Sequence, residues 1–305
     1  MLRRALIAAS GSDALRRVAS DLPPARRVVA RFVAGETLDD AIAATRELNA
    51  AGMPVTLDEL GESVSDHGVA RSAAASYIAA LERLADERLD GSISVKLTQL
   101  GLDISEEICH DLLSDVCDRA AALGRHVTID MEGSDHTAAT VALVLRLRAE
   151  GHSNVGCAVQ SYLHRTPSDV DELAGAGASL RLCKGAYLEP ETIAFEEKEE
   201  IDAAYAALAD RLLGSGTHPR FATHDHVLIH HVKNEARRRG IGPDDFEFQM
   251  LFGVREPLQR ELVADGLALR IYVPYGREWY PYFMRRLAER PANLAFFLRA
   301  LASRR

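Results

Sequence analysis

The chain has 305 residues, 47% of them hydrophobic and 27% charged, and a formal net charge of −9. That is ordinary globular composition with ample apolar material for a core, and its acidic balance offers no electrostatic footprint for DNA or RNA. The four cysteines, Cys109, Cys117, Cys157 and Cys183, form no C-x-x-C pair and show no metal-ligand spacing, so they read as reduced buried thiols in a reducing compartment.

The chain opens on Arg3 and Arg4 and a short apolar run over 5–9, which Ser10, Ser12 and Asp13 interrupt. This is too short for a secretory signal, and no stretch nears the ~20 apolar residues of a transmembrane helix. A cytoplasmic protein is expected. Residues 1–50 look helical and are expected to form an accessory segment of a single-domain chain.

A rhythm follows. Short β-rich runs occur at 54–60, 92–98, 126–132, 154–162, 179–185, 220–224, 246–251 and 267–273. Between them lie helical patterns at 71–88, 105–123, 137–150, 168–174, 191–213, 228–239 and 256–264, and a last one over 280–302 that Pro291 should bend or divide. Ser105, with Glu106 and Glu107 behind it, marks a helix start. Strands alternating with helices imply right-handed βαβ units and a parallel sheet. Eight repeats predict an α/β fold, a closed (β/α)8 TIM-like barrel, with its site at the C-terminal strand ends. A doubly wound sheet would advertise G-x-G-x-x-G after its first strand, and none is present.

Parallel barrel strands usually read as continuous apolar runs because both faces are buried. Here several alternate. Ser92, Ser94, Lys96 and Thr98 share one face of the second run; His126, Thr128, Asp130 and Glu132 share one face of the third; Arg270 and Tyr272 share one face of the eighth. If outer helices take the apolar faces, the polar ones line the lumen. There, unpaired charges are costly, so the interior should pair its charges or bind a polar ligand.

Lys96 and Asp130 are expected to form an ion pair beside the site. Arg181, Lys184, Gly185 and Tyr187 gather after the fifth strand, where cations suit a negatively charged cofactor and Gly185 would let a flat ligand approach the backbone. Gln160 could hydrogen-bond a ring edge. Tyr282, Arg285 and Arg286 stand at i, i+3 and i+4 on the last helix and project from one face, and two guanidinium forks beside a tyrosine make a carboxylate clamp. The His-rich stretch 223–226, with His230 and His231, raises a metal site, but the other strand ends offer no histidine to complete one. No metal is expected.

The segments SVKLTQLG (94–101), VTIDME (127–132), RLCKGAYLEP (181–190), FATHD (221–225), EFQMLFGVREPL (247–258), RIYVPYG (270–276) and YFMRRLAERPAN (282–293) together resemble proline dehydrogenase, in its short, monofunctional bacterial form. The resemblance runs in order over about 54–297. It implies a distorted barrel whose C-terminal helix closes over the strand ends, non-covalently bound FAD, and oxidation of L-proline to Δ1-pyrroline-5-carboxylate with electrons passed to quinone. It also implies residue roles. Lys96, Arg285 and Arg286 would hold the proline carboxylate, with Asp130 pairing the cations, and Leu251, Tyr187, Tyr272 and Tyr282 would wall the ring. Arg181 would lie near flavin N5. Asp130, Met131, Gln160, Lys184, Gly185, Ala186, Tyr187, Thr223, His224, Asp225, Gln249 and Glu289 would lie along the cofactor. Leu188 stands where many members carry tryptophan, and Asp225 where asparagine is frequent.

Quinone as acceptor implies transient contact with the inner face of the membrane, for which a first helix bearing Arg3 and Arg4 is the candidate. A pyrroline-5-carboxylate dehydrogenase is a candidate partner. Rival readings are a class I aldolase using Lys96 or Lys184 as its Schiff-base amine, a metal-dependent hydrolase, and a non-catalytic binding barrel.

Overall fold

A computed structural model of the chain describes residues 28–289, with side chains to Arg286. The Arg3–Arg4 helix, the bend at Pro291 and the side chain of Glu289 lie outside the described residues.

Eight parallel strands close into one barrel in chain order: β1 Val55–Glu59, β2 Gly91–Val95, β3 Val127–Ile129, β4 Val155–Gln160, β5 Ser179–Cys183, β6 Arg220–Ala222, β7 Glu247–Leu251 and β8 Leu269–Tyr275. Each falls within or against one of the eight β-rich runs. β8 pairs β1 with Tyr272 opposite Thr56, which completes the closure. The helices are α1 Leu38–Ala50, α2 His67–Asp86, α3 Glu106–Ala122, α4 Ser134–Ala149, α5 Thr166–Gly175, α6 Lys198–Leu213, α7 His226–Arg239, α8 Glu256–Ala264 and α9 Trp279–Glu289.

The alternation settles which face points where. Ile93 and Val95, Val127 and Ile129, Leu180 and Leu182, and Ile271 and Val273 are fully buried in one apolar layer with helix residues such as Leu81, Leu113, Val144 and Leu212. Burying a side chain of this kind contributes about 1.5–3 kcal/mol, so this layer binds helices to sheet. The intervening polar residues bond to strands that are not their neighbours. Arg181 on β5 donates to Ser94 on β2 at 3.0 Å, Arg220 on β6 to Thr128 on β3 at 3.0 Å, and Tyr272 on β8 to Asp130 after β3 at 2.7 Å. Such strands meet only through the lumen, so the polar faces line it.

Helix starts follow from their capping residues. Ser105 Oγ accepts the Ile108 N–H at the head of α3, and Asp66 takes the N–H groups of Gly68 and Val69 at the head of α2. α4 begins after Gly133, which has no side chain to cap it. Glu189 does so instead, accepting from Ser134 N at 2.8 Å and Ser134 Oγ at 2.5 Å. α6 starts at Lys198, later than the pattern over 191–213 predicts. The reason is backbone pairing: residues 191–193 turn back onto Pro190 O, Ala194 bridges Leu163, and His164 N–H donates to Ile193 O and Phe195 N–H to Tyr162 O, so this stretch is a turn and a bridge rather than a helix.

Before α1, residues 28–35 run against β8 and the β7–α8 connection. Ala34 N–H donates to Pro274 O and Gly276 N–H to Gly35 O. A Cβ on Gly253, at φ +67, would stand 1.6 Å from Arg31 O, so only glycine allows this approach. Val28, Val29, Phe32 and Val33 pack with Leu60 and with Trp279, Tyr280, Phe283 and Met284. This packing anchors α9 beside the mouth of the barrel.

Candidate active site

The C-terminal strand ends open into a cavity of about 1130 Å³, slightly above the roughly 300–1,000 Å³ of most ligand pockets. Every described residue that the resemblance nominates for substrate or cofactor lines it; the side chain of Glu289 lies outside the described residues.

Asp130 is its electrostatic centre. Its Oδ1 accepts from Ser94 Oγ at 2.7 Å and from Arg181 Nη2, and its Oδ2 accepts from Tyr272 Oη at 2.7 Å and Lys96 Nζ at 3.2 Å. Burial would push this carboxyl up. The Lys96 and Arg181 cations and the Tyr272 and Ser94 hydrogen bonds outweigh burial and hold it below the usual carboxylate range. The expected Lys96–Asp130 pair therefore forms, but Lys96 lies nearer to Asp58 on β1, at 2.5 Å. For Lys96 burial favours loss of the proton, and Asp58 with the other acids around it more than reverses this. Its ammonium is fixed, which removes it as a Schiff-base nucleophile.

Arg181 lays its guanidinium over the Tyr272 ring, 5.2 Å from the centroid, and only 3% of the residue is exposed. Tyr272 lines the cavity while its hydroxyl is tied to Asp130. On α9, Tyr282, Arg285 and Arg286 all reach the cavity. Arg286 stacks over Tyr282 at 5.2 Å, and Arg285 pairs with Glu62 after β1 at 3.2 Å.

The connection after β5 carries two further details. Lys184 is held by Asp202 at 2.5 Å and Asp225 at 3.0 Å, so this second lysine is also engaged on both sides. Gly185, at φ +124, faces the Tyr162 ring, and a Cβ there would lie 2.3 Å from it. The close approach that glycine permits is made by Tyr162. Asp225 also caps α7 through Val227 N–H, and Thr223 Oγ1 accepts Asp225 N–H. His224 Nε2 accepts the Leu251 N–H at 2.9 Å, so its other ring nitrogen carries the proton. Among the described residues no His, Cys, Asp and Glu cluster has metal-site form. Gln160 accepts Ala186 N–H at 3.3 Å and donates to Glu132 O at 3.0 Å.

Asp58, Ser94 and Glu62 were not singled out from sequence as site residues. The alternation read in β2, β3 and β8 holds equally in β1, where Thr56 and Asp58 share the inward face, and applying it there finds Asp58. Glu62 lies beyond the strand, where no periodicity operates.

A closed parallel barrel whose C-terminal mouth sets lysine and arginine cations among tyrosine rings has the form of an enzyme of the (β/α)8 class. The proline dehydrogenase family profile matches residues 41–299. Proline dehydrogenase 2 of Bacillus subtilis (strain 168) is 38% identical over 279 residues, covering 92% of each chain. The proline dehydrogenase of Deinococcus radiodurans is 38% identical over 277 residues, covering 89% of each. Among solved structures, proline utilization A from Bdellovibrio bacteriovorus inactivated by N-propargylglycine superposes with a TM-score of 0.82 at 26% identity; the match covers 87% of this chain and about a third (33%) of that longer one. The chain belongs to the proline dehydrogenase family, and is thereby an oxidoreductase of proline catabolism.

Proposed function

We propose that the chain oxidises L-proline to Δ1-pyrroline-5-carboxylate with FAD held in the cavity, electrons passing on to quinone. The observation that carries this reading is the convergence of Lys96, Arg181, Arg285 and Arg286 on one cavity walled by Tyr187, Leu251, Tyr272 and Tyr282.

The residues present fit the cofactor. Arg181 Nη1 and Gln249 Oε1 are buried in the cavity lining without a hydrogen-bond partner among the described residues. Such groups are costly unless a ligand completes them, and a donor and an acceptor lining one cavity suit the polar edge of a flavin. When bound, FAD supplies the acceptor for the hydride that leaves proline C5. Arg181 and Gln160 would hold its ring system, with Met131, Gln249, Ala186 and Tyr187 along the cofactor. Lys184, Gly185, Thr223, His224, Asp225 and Glu289 would hold the remainder.

The chain's own groups then do three things. Lys96 and the Arg285–Arg286 pair grip the substrate carboxylate, which fixes one end of a small molecule. The tyrosines and Leu251 set the plane of the pyrrolidine ring and exclude water from C5, where iminium character develops. Arg181, kept charged by Asp130, provides positive potential where electron density arrives. Among the described residues no helix is long and apolar enough to cross a membrane. We therefore read the quinone step as transient contact with the inner membrane face by a cytoplasmic protein, and a pyrroline-5-carboxylate dehydrogenase as the consumer of the product.

The test is an anaerobic absorbance spectrum of the purified protein before and after proline. A flavin band that bleaches with L-proline and not with D-proline is expected. A flavin band that does not bleach discards proline, and a protein that takes up no FAD discards the cofactor.

A further inference from the structure

Asp58 has no role in the reading above, yet its side chain is 1% exposed and borders the cavity. We propose that Asp58 is a positioning residue that holds Lys96 as a fixed ammonium aimed at the substrate carboxylate, the second half of a carboxylate–ammonium–carboxylate bridge from β1 across β2 to β3.

Three observations carry this. First, Asp130 already serves Ser94, Arg181 and Tyr272, and its contact to Lys96 is the longest of its set, 3.2 Å against 2.5 Å for Asp58. Second, a lysine is a flexible stem with a point charge, without the fork that aligns an arginine. It needs an anchor on each side to keep one position, and β1 and β3 flank β2 in the barrel. Third, Lys96 is only 6% exposed, and at such depth a lone ammonium tends to lose its proton.

The charges around Lys96 make Asp58 decisive. Asp130 after β3 is shared between Lys96 and Arg181, and of the two carboxylates beside Lys96 it lies farther away, at 3.2 Å against 2.5 Å for Asp58. Glu132 after β3 is committed to Thr98 and Glu62 to Arg285. Tyr77 on α2, whose hydroxyl accepts the Lys96 N–H at 3.4 Å, Tyr187 and Tyr272 are neutral phenols, since burial pushes each of them up. Asp58 is thus the anion whose main partner is Lys96. The same burial, only partly offset by Lys96, raises Asp58 itself, so the two carboxyls of the bridge are displaced in opposite directions.

The role rests on the proline reading, and the experiment separates the two. Competitive acetylation of Lys96, followed by mass spectrometry of its peptide from about pH 7 to about pH 10, reads the ammonium without any turnover. Lys96 of the holoenzyme should resist labelling throughout and become labelled at the alkaline end in Asp58→Asn. A holoenzyme Lys96 that titrates like a surface lysine overturns the proposal even if the variant fails to fold.

In turnover, Asp58→Asn should raise KM for L-proline roughly tenfold with a smaller change in kcat. It should also add an alkaline loss in kcat/KM and weaken binding of cyclopentanecarboxylate more than binding of pyrrolidine. Because Asp58 acts through Lys96, the KM effect should vanish in a Lys96→Met background. An additive double variant overturns the proposal while leaving proline oxidation intact. Absence of proline oxidation in the unaltered enzyme removes the parent reading, and the labelling result still decides the bridge.

Discussion

The barrel carries two polar layers in its lumen, and they behave differently. At the N-terminal end, Glu247 accepts Arg270 Nε on both oxygens, at 3.0 and 3.1 Å, and Gln249 Nε2 at 2.6 Å, with Arg220 Nε at 3.5 Å. Arg220 also reaches Thr128, and Arg270 reaches Val55 O at 3.0 Å. None of Glu247, Arg220 and Arg270 borders the cavity. At the C-terminal end, Asp58, Lys96, Asp130, Arg181 and Tyr272 form a network of the same chemistry that opens onto it. Gln249 links the two, its amide bonded downward to Glu247 and its oxygen without a described partner. Burying charge is costly wherever it is done. The lower layer pairs its charges within the protein, away from the cavity, although Arg220 Nε makes no hydrogen bond among the described residues, whereas the upper layer opens onto the cavity and keeps Arg181 Nη1 for something else.

The comparison breaks first at Asp130. Asp130→Asn deprives Lys96, Arg181 and Tyr272 of their common anion, and loss of one buried charge partner costs about 3 kcal/mol, roughly two powers of ten in kcat/KM. Steady-state oxidation of L-proline, normalised to bound flavin, checks it. A normal rate would show that the upper layer is as structural as the lower. Glu247→Gln should do the opposite, removing about 2–3 kcal/mol of stability and lowering Tm by about 5 °C with turnover per flavin preserved. Thermal melts of the holoenzyme and kinetics on the same sample decide it, and a variant of normal Tm with lost turnover would merge the layers.

Much of this contrast was legible in the sequence, and the part that was not has a physical cause. Period-two alternation in β2, β3 and β8 revealed a charged lumen, and strand-end position marked Lys96, Asp130 and Arg181 as upper residues. Helix spacing likewise brought Tyr282, Arg285 and Arg286 to one face. Partner choice was not legible. Lys96 meets Asp58 at 2.5 Å because the β1–β2 register sets Asp58 opposite Ser94, and register between strands is not written in either strand alone. The engagement of Lys184 by Asp202 on α6 and by Asp225 at the head of α7 depends in the same way on where those helices start, and α6 starts late. That start is set by the backbone bridge between Leu163 and Ala194 rather than by helical periodicity.

A smaller effect separates the layers by pH. His126 at the foot of β3 is half-buried, and its Nε2 is enclosed. Burial, then Arg220, Arg270 and Arg181, hold its pKa well below the ordinary 6.5. The unfolded chain takes up this proton near 6.5 and the folded one does not, so the unfolded state binds more protons and stability falls as pH drops through that value. Glu247, whose pKa is also depressed because Arg270 and Arg220 outweigh burial, adds a loss only further down, as pH falls through the carboxylate range. Tm should therefore decline from about pH 7 to about pH 5, and His126→Gln should flatten that segment. An unchanged slope would assign it elsewhere.

The smallest effect belongs to the rim, which tests how far the upper layer extends. Arg285 and Glu62 are paired at 3.2 Å, but their side chains are 18% and 32% exposed, so water screens them in a way it does not screen Asp130. Pairs of this kind contribute less than about 1 kcal/mol. Glu62→Gln should therefore change KM for L-proline by no more than about threefold and leave Tm within about 1 °C of the parent. A fall in kcat/KM as large as that of Asp130→Asn would mean that α9 closes far enough to strip solvent from this pair when substrate is present, making the rim part of the buried network during turnover. A small change confines the network to the strand ends, where the β-sheet rather than a helix sets the positions of the charges.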